Sequence, residues 1–213
     1  DAHAPGQLDW QPVPEAFVLP SAEPMSLHVR QAGDTRMLSA RVLAHQVKAV
    51  VSVVPVPHDE GRIGPDAIAP YLQWLGSEHH PQPKVVSITQ STEYGAVYTV
   101  EEVGALCEAA HASGLLVHLD GARIANALVA TGADLRTMVR DTGVDLMTLG
   151  LTKDGAMYGE TVVFLRPELA ERAAFVRKQA GQLSSKSRFV AAQVVALLEG
   201  DLWLRNAAHA NAM

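Results

Sequence analysis

Apolar positions recur along this chain in two rhythms, short continuous runs and helical stripes, and the two alternate from residue 58 onward. Asp59-Glu60-Gly61 marks a turn, Pro65 stands where a helix opens, and Ile68, Tyr71, Leu72 and Leu75 then share one helical face. The β-branched run 84–89, behind Pro83, suits a buried strand. Thr99 and Glu102 have capping-box spacing, and Val100, Val103, Leu106, Cys107 and Ala110 carry a helical stripe to about residue 113. Gly114 should end it. An apolar run at 115–119, helices over 122–130 and 135–140, a strand over 145–149 and another at 161–165 follow. This order predicts an α/β fold, a mainly parallel sheet flanked by helices, with function in the loops beyond the carboxyl ends of the strands.

Residues 1–57 read differently. Pro12, Pro14, Pro20 and Pro24 are mixed with histidines and arginines, and there is no helical stripe before about Met37 and no internal repeat. Three parts are therefore expected: an N-terminal segment at 1–57, an α/β domain at 58–180, and at 181–213 the start of a helical segment. In that last part Trp203, Ala207 and Ala210 fall on one face.

Charge and composition narrow the partners. A net charge of -6 without any run of lysine or arginine gives no electrostatic footprint for nucleic acid or an anionic membrane surface. The apolar stretches 49–56 and 189–198 fall well short of the roughly 20 residues that a membrane helix needs. Cys107 is the single cysteine, which excludes an internal disulfide framework and suits a reducing compartment. A cytoplasmic protein is expected. The first residues lack an initiator methionine and a signal-peptide pattern, so the chain reads as the middle of something longer.

Two strand ends carry candidate chemistry. In His118-Leu119-Asp120-Gly121-Ala122-Arg123 a strand delivers a carboxylate to its end and glycine lets the chain turn into a helix. In Leu149-Gly150-Leu151-Thr152-Lys153-Asp154-Gly155 a lysine lies in a glycine-flanked loop between two strands. Each has a plainer explanation, since a loop lysine is usually solvated and an aspartate before a helix is usually a cap. Arg123 would then be an ordinary surface residue.

Other constellations point elsewhere or nowhere. His118 and Asp120 alternate on a strand, but two ligands without a third do not make a metal site, and none is expected. Neither a P-loop nor a GxGxxG turn is present. His79, His80 and His111 read as solvated, Cys107 as core, and the serines at 184, 185 and 187 as a helix start.

The joint arrangement of residues 118–127 (His-Leu-Asp-Gly-Ala-Arg-Ile-Ala-Asn-Ala) and 145–155 (Asp-Leu-Met-Thr-Leu-Gly-Leu-Thr-Lys-Asp-Gly) resembles the signature region of the low-specificity L-threonine aldolases. The resemblance extends through residues 87–99 and 177–189 and covers about 55–213. It implies the large-domain core of a fold-type-I pyridoxal 5'-phosphate enzyme, with Lys153 as the catalytic lysine that attaches the cofactor as a Schiff base. It makes Asp120 the partner of the pyridine nitrogen, where a carboxylate favours the protonated ring that serves as electron sink. Arg123 matches an arginine near the cofactor's phenolic oxygen, and Lys178 a lysine near the active-site mouth.

The implied reaction cleaves a β-hydroxy-α-amino acid such as L-threonine or allo-threonine to glycine and an aldehyde, in an enzyme that assembles as a homo-oligomer, a dimer or tetramer. The alternatives are another reaction on the same fold, β-elimination or transamination, and a non-catalytic fragment. Members of the family are much longer, and their phosphate-binding turn and carboxylate-binding arginine have no match here. The ring-stacking histidine would come from residues 1–55, where His28 and His45 are available, and Thr92 stands where some relatives have a histidine.

Overall fold

The computed structural model describes residues 39–44 and 47–213, with side-chain environments from residue 53 onward. Strands β1 (Ser39–Ala44) and β2 (Val47–Ser52) pair antiparallel, Ser39 opposite Ser52 and Ala44 opposite Val47. Neither strand was expected from the sequence.

The main sheet has four strands in the order β3 (Val85–Thr89), β4 (Leu116–Asp120), β5 (Leu146–Gly150), β6 (Glu160–Phe164). The first three run parallel and β6 runs antiparallel to β5. Helix α2 (Val100–Ala112) connects β3 to β4, and α3 (Ile124–Thr131) connects β4 towards β5. Both crossovers step the same way across the sheet, so right-handed connections put both helices on one face.

Burial follows from that one-sided arrangement. Val86, Ile88, Val117, Leu119, Met147 and Leu149 are buried in one core with Val103, Leu106 and Cys107 of α2 and Ile124 and Leu128 of α3. Alternate residues of the same strands, Ser87, His118, Asp120 and Thr148, lie on the opposite face and are only half-buried. The row Ser87, His118, Thr148 is hydrogen-bonded across three strands: Ser87 Oγ is 2.9 Å from His118 Nδ1, and Thr148 Oγ1 is 3.3 Å from Nε2. Burial lowers the His118 pKa against the opposing pull of Asp120, favouring the neutral ring.

Local signals explain the helix ends. Thr99 Oγ1 accepts from the Glu102 N–H while the Glu102 carboxylate accepts from the Thr99 N–H, completing the capping box. Gly114, at φ 71°, supplies the left-handed turn after α2. The stripe at 65–75 does not become one helix: a 3-10 turn (Pro65–Ala67) leads into a single short helix, α1 (Ala69–Leu72), and Leu75 is exposed. Pro70, at the start of α1, lacks the N–H a helix running through from Pro65 would need. The segment 135–140 is one π-helical turn (Arg136–Arg140) that buries Met138 and Val139.

Helices α4 (Ala173–Gln179), α5 (Ser187–Leu198) and α6 (Leu202–Ala212) complete the chain. Trp203 and Ala207 of α6 are buried in the same core, and Asn126 of α3 and Asn211 of α6 exchange hydrogen bonds of 2.8 and 3.0 Å. Ala210, expected on that face, is exposed. No helix among the described residues is long and apolar enough to cross a membrane.

Candidate active site

The carboxyl ends of β4 and β5 are adjacent, with Asp120 opposite Thr148 in the parallel register. Asp120 is the last residue of β4. Its Oδ1 accepts the Ala122 N–H at 3.0 Å, a turn contact that leaves Oδ2 without a hydrogen bond among the described residues. The N-cap of α3 is Arg123, so Asp120 closes the turn before the helix and does not cap it. Gly121 is pressed against β5, its N–H donating to the Thr148 carbonyl at 2.7 Å.

Lys153 is exposed in the 3-10 turn that leaves β5 (Thr152–Asp154), closed by Gly155 at φ 116°. Its ammonium has no hydrogen bond or ion pair among the described residues, although its charge acts on Asp154 and Glu160. The Asp154 side chain is 3% exposed and its Oδ2 has no hydrogen-bond partner among the described residues. Burial raises its pKa to about 6, with Lys153 pulling the other way.

Arg123 stands one turn further on, its guanidinium donating to both Glu93 carboxylate oxygens at 2.9 and 3.1 Å. Such a two-point pair fixes the plane of the guanidinium, so Arg123 is an oriented cation and not a free surface residue. Glu93 follows Thr92, which is buried and knots its loop: Thr92 Oγ1 donates to the Glu60 carbonyl at 2.7 Å and accepts the Ala96 N–H at 3.1 Å. A hydroxyl so engaged is a structural pin. Lys178 lies in α4 and is exposed. His28 and His45 lie outside the described residues.

One residue of this end escaped the sequence reading. Glu160, opposite Gly150 in the antiparallel pair, folds its carboxylate back over that glycine. A Cβ on Gly150 would lie 2.7 Å from Oε2 and 3.0 Å from Oε1. Burial and the Asp120 charge push the Glu160 carboxyl above its ordinary value, with Lys153 opposing. The signal available was the Gly150–Glu160 pairing, which needs the β5–β6 register and is invisible in local periodicity.

His111 is a correction. It reads as solvated in the sequence, yet its Nε2 lies 2.9 Å from Oδ2 of Asp145, a side chain only 2% exposed. The cause is a partner 34 residues away. Cys107 is buried as expected, and its thiol is pushed up to about 12 by burial and by the nearby Asp145. A cavity of about 330 Å³ between α3 and α6, lined by Leu128, Leu135 and Trp203 among others, includes none of the strand-end residues.

The strand ends of a mainly parallel sheet with an antiparallel edge strand thus carry an aspartate at one end and a lysine just past the next. This chain belongs to the beta-eliminating lyase family, whose model matches residues 27–213. Within it, the chain is 42% identical over 151 residues to the low specificity L-threonine aldolase of Pseudomonas sp. (strain NCIMB 10558), and 41% identical over 151 residues to that of Pseudomonas aeruginosa. Each match covers 71% of this chain and 44% of the relative, so the chain spans under half the length of these relatives. The solved structure of the Leishmania major threonine aldolase superposes with a TM-score of 0.75 at 29% identity, over 93% of this chain and 56% of that one.

Proposed function

We propose that this chain carries the cofactor-binding core of a pyridoxal 5'-phosphate-dependent aldehyde-lyase that cleaves L-threonine or allo-threonine to glycine and an aldehyde. One observation carries the reading: Asp120 ends one strand and Lys153 stands just past the end of the neighbouring parallel strand, each with a polar group uncommitted among the described residues. The names and 41–42% identity of the Pseudomonas relatives support the choice of reaction.

These residues suit the cofactor's two reactive ends. A lysine without an ion pair is available for a covalent bond to an aldehyde carbon, and the uncommitted Asp120 oxygen can accept a ring N–H. When bound, pyridoxal phosphate supplies the electron sink for the bond broken at the substrate's α-carbon. Lys153 would hold the cofactor covalently and Asp120 would keep its ring nitrogen protonated. Arg123, braced by Glu93, would stand near the phenolic oxygen as a fixed positive charge. A small-molecule amino acid is the substrate in this reading, and the enzyme assembles as a homo-oligomer in the cytoplasm.

β-Elimination is the second reading, favoured by the description of the matching family. Asp120 and Lys153 serve either reaction, so products decide: glycine plus an aldehyde for the first, a keto acid plus ammonia for the second. The cofactor site is tested by the visible spectrum of the protein with pyridoxal phosphate, then borohydride reduction and peptide mapping. Stable label on Lys153, lost in Lys153→Ala, supports the site. Absence of specific label in the wild type refutes it.

A further inference from the structure

Lys153 is exposed, yet the turn that carries it is gripped from behind. Leu151, Asp154 and Ala156 are buried on either side of it, so the lysine projects from a segment whose flanks are set in the core. Part of the turn's backbone is satisfied internally: the Asp154 and Ala156 N–H groups both donate to the Leu151 carbonyl, at 3.0 and 2.9 Å. The Asp154 carbonyl, one residue past the lysine, is bonded from outside. Asn206 of α6 donates its Nδ2 to that oxygen at 2.7 Å, across 52 residues of sequence. The Met157 N–H is met in the same way, donating at 2.8 Å to Oε1 of Gln193 in α5. Gln193 is itself held, its Nε2 donating to the Phe189 carbonyl at 3.1 Å.

We propose that Asn206, supported by Gln193, is the positioning residue of Lys153, holding the backbone of its turn where the amine meets the cofactor's aldehyde carbon; this rests on the reading of Lys153 above. A lysine reaches a fixed carbon through a long, flexible stem, and any freedom in the backbone beneath it adds to the ordering that the covalent bond requires. A hydrogen bond to the neighbouring carbonyl removes that freedom and leaves the ammonium unengaged.

The surroundings of Asn206 suit this task. A Cβ on Gly155 would lie 3.3 Å from Asn206 Nδ2, so the glycine that permits the turn at φ 116° also lets the amide close on it. Trp203 and Ala207, on either side of Asn206 in α6, are buried in the main core and fix the helix from which the amide reaches. The same helix grips the other strand end, because Asn211 exchanges hydrogen bonds with Asn126 of α3, the helix entered from the Asp120 turn. One helix therefore sets the Lys153 turn relative to the helix that follows Asp120.

The test titrates the full chain with pyridoxal phosphate, traps it with borohydride and measures label on Lys153 by peptide mapping, for wild type, Asn206→Ala, Asn206→Asp and Gln193→Ala. A parallel sample without pyridoxal phosphate is briefly acetylated with acetic anhydride, which reads the reactivity of the Lys153 amine wherever it points. Asn206→Ala should raise the concentration for half-labelling roughly 5-fold, the scale of one hydrogen bond, with Lys153 acetylation and the urea midpoint unchanged. Asn206→Asp keeps the shape and loses the donor, so it should match the alanine variant and stays decisive if that variant fails to fold. Gln193→Ala should shift labelling the same way by less, since its bond is exposed. Wild-type half-labelling in both Asn206 variants would overturn the role of Asn206 and leave the Lys153 reading standing. A shift matched by a lower urea midpoint or by raised acetylation would overturn it too, marking Asn206 as a tether of the fold alone. No label on Lys153 in the wild type would overturn both readings.

Discussion

The two ends of the central sheet treat charge in opposite ways. At the amino end of β5, Asp145 is buried and fully engaged: its Oδ2 accepts the Val117 N–H at 2.6 Å and faces His111, and its Oδ1 forms an ion pair with Arg166 Nε at 2.6 Å. One carboxylate thereby ties together β4, the last turn of α2 and the segment after β6. At the carboxyl end, the charges of Asp120, Lys153, Asp154 and Glu160 act on one another, yet no hydrogen bond or ion pair joins any two of them among the described residues. A buried charge with its partners in place holds a fold, while charges left short of partners cost stability and remain free for chemistry.

The sharpest way to break this contrast is to remove the engaged charge. Asp145→Ala should destabilise the protein by about 2 kcal/mol in urea unfolding, because it leaves the buried Val117 N–H without its acceptor. A loss below about 0.5 kcal/mol, the scale of an ordinary surface change, would show that Asp145 holds nothing. Asp120→Asn should do the reverse. The amide oxygen still accepts the Ala122 N–H, so stability should hold, while turnover of a β-hydroxy amino acid should fall about 100-fold with the ring's counter-charge gone. Equal turnover in the two proteins would remove Asp120 from the site.

A smaller effect sharpens the comparison through pH. The folded-state pKa of Asp154, about 6, lies above its ordinary 3.8, so the folded chain binds the extra proton between those values. Its stabilising contribution is present below about pH 4 and is lost as pH rises through about 6. Asp154→Asn should therefore be about 1 kcal/mol more stable than wild type at pH 8, with the difference vanishing below about pH 4. Thermal unfolding at the two pH values reads it. A variant less stable than wild type at pH 8 would mean that the Asp154 charge is stabilising after all.

The sequence made local features legible. β3 to β6 were readable because each is a short apolar run bounded by turn residues, and Asp120 and Lys153 because each sits where such a run meets glycine. Long-range pairs were not readable. The partner of Arg123 is 30 residues upstream, that of His111 is 34 downstream, and the Glu160 contact exists only once β6 has turned back on β5. The helix expected at 65–75 failed for a local reason, Pro70, which the apolar stripe outweighed in the reading.

Gly121 and Gly150 set different limits on how this site can drift over evolutionary time. A side chain at 121 would come within 2.8 Å of the Thr148 backbone carbonyl, so no lineage can replace that glycine without prising β4 from β5. The nearest atoms to a side chain at Gly150 belong to the movable end of Glu160. Substitution there must first displace a side chain that can swing aside, so the first turn is frozen by the backbone of the sheet and the second is held by a movable carboxylate.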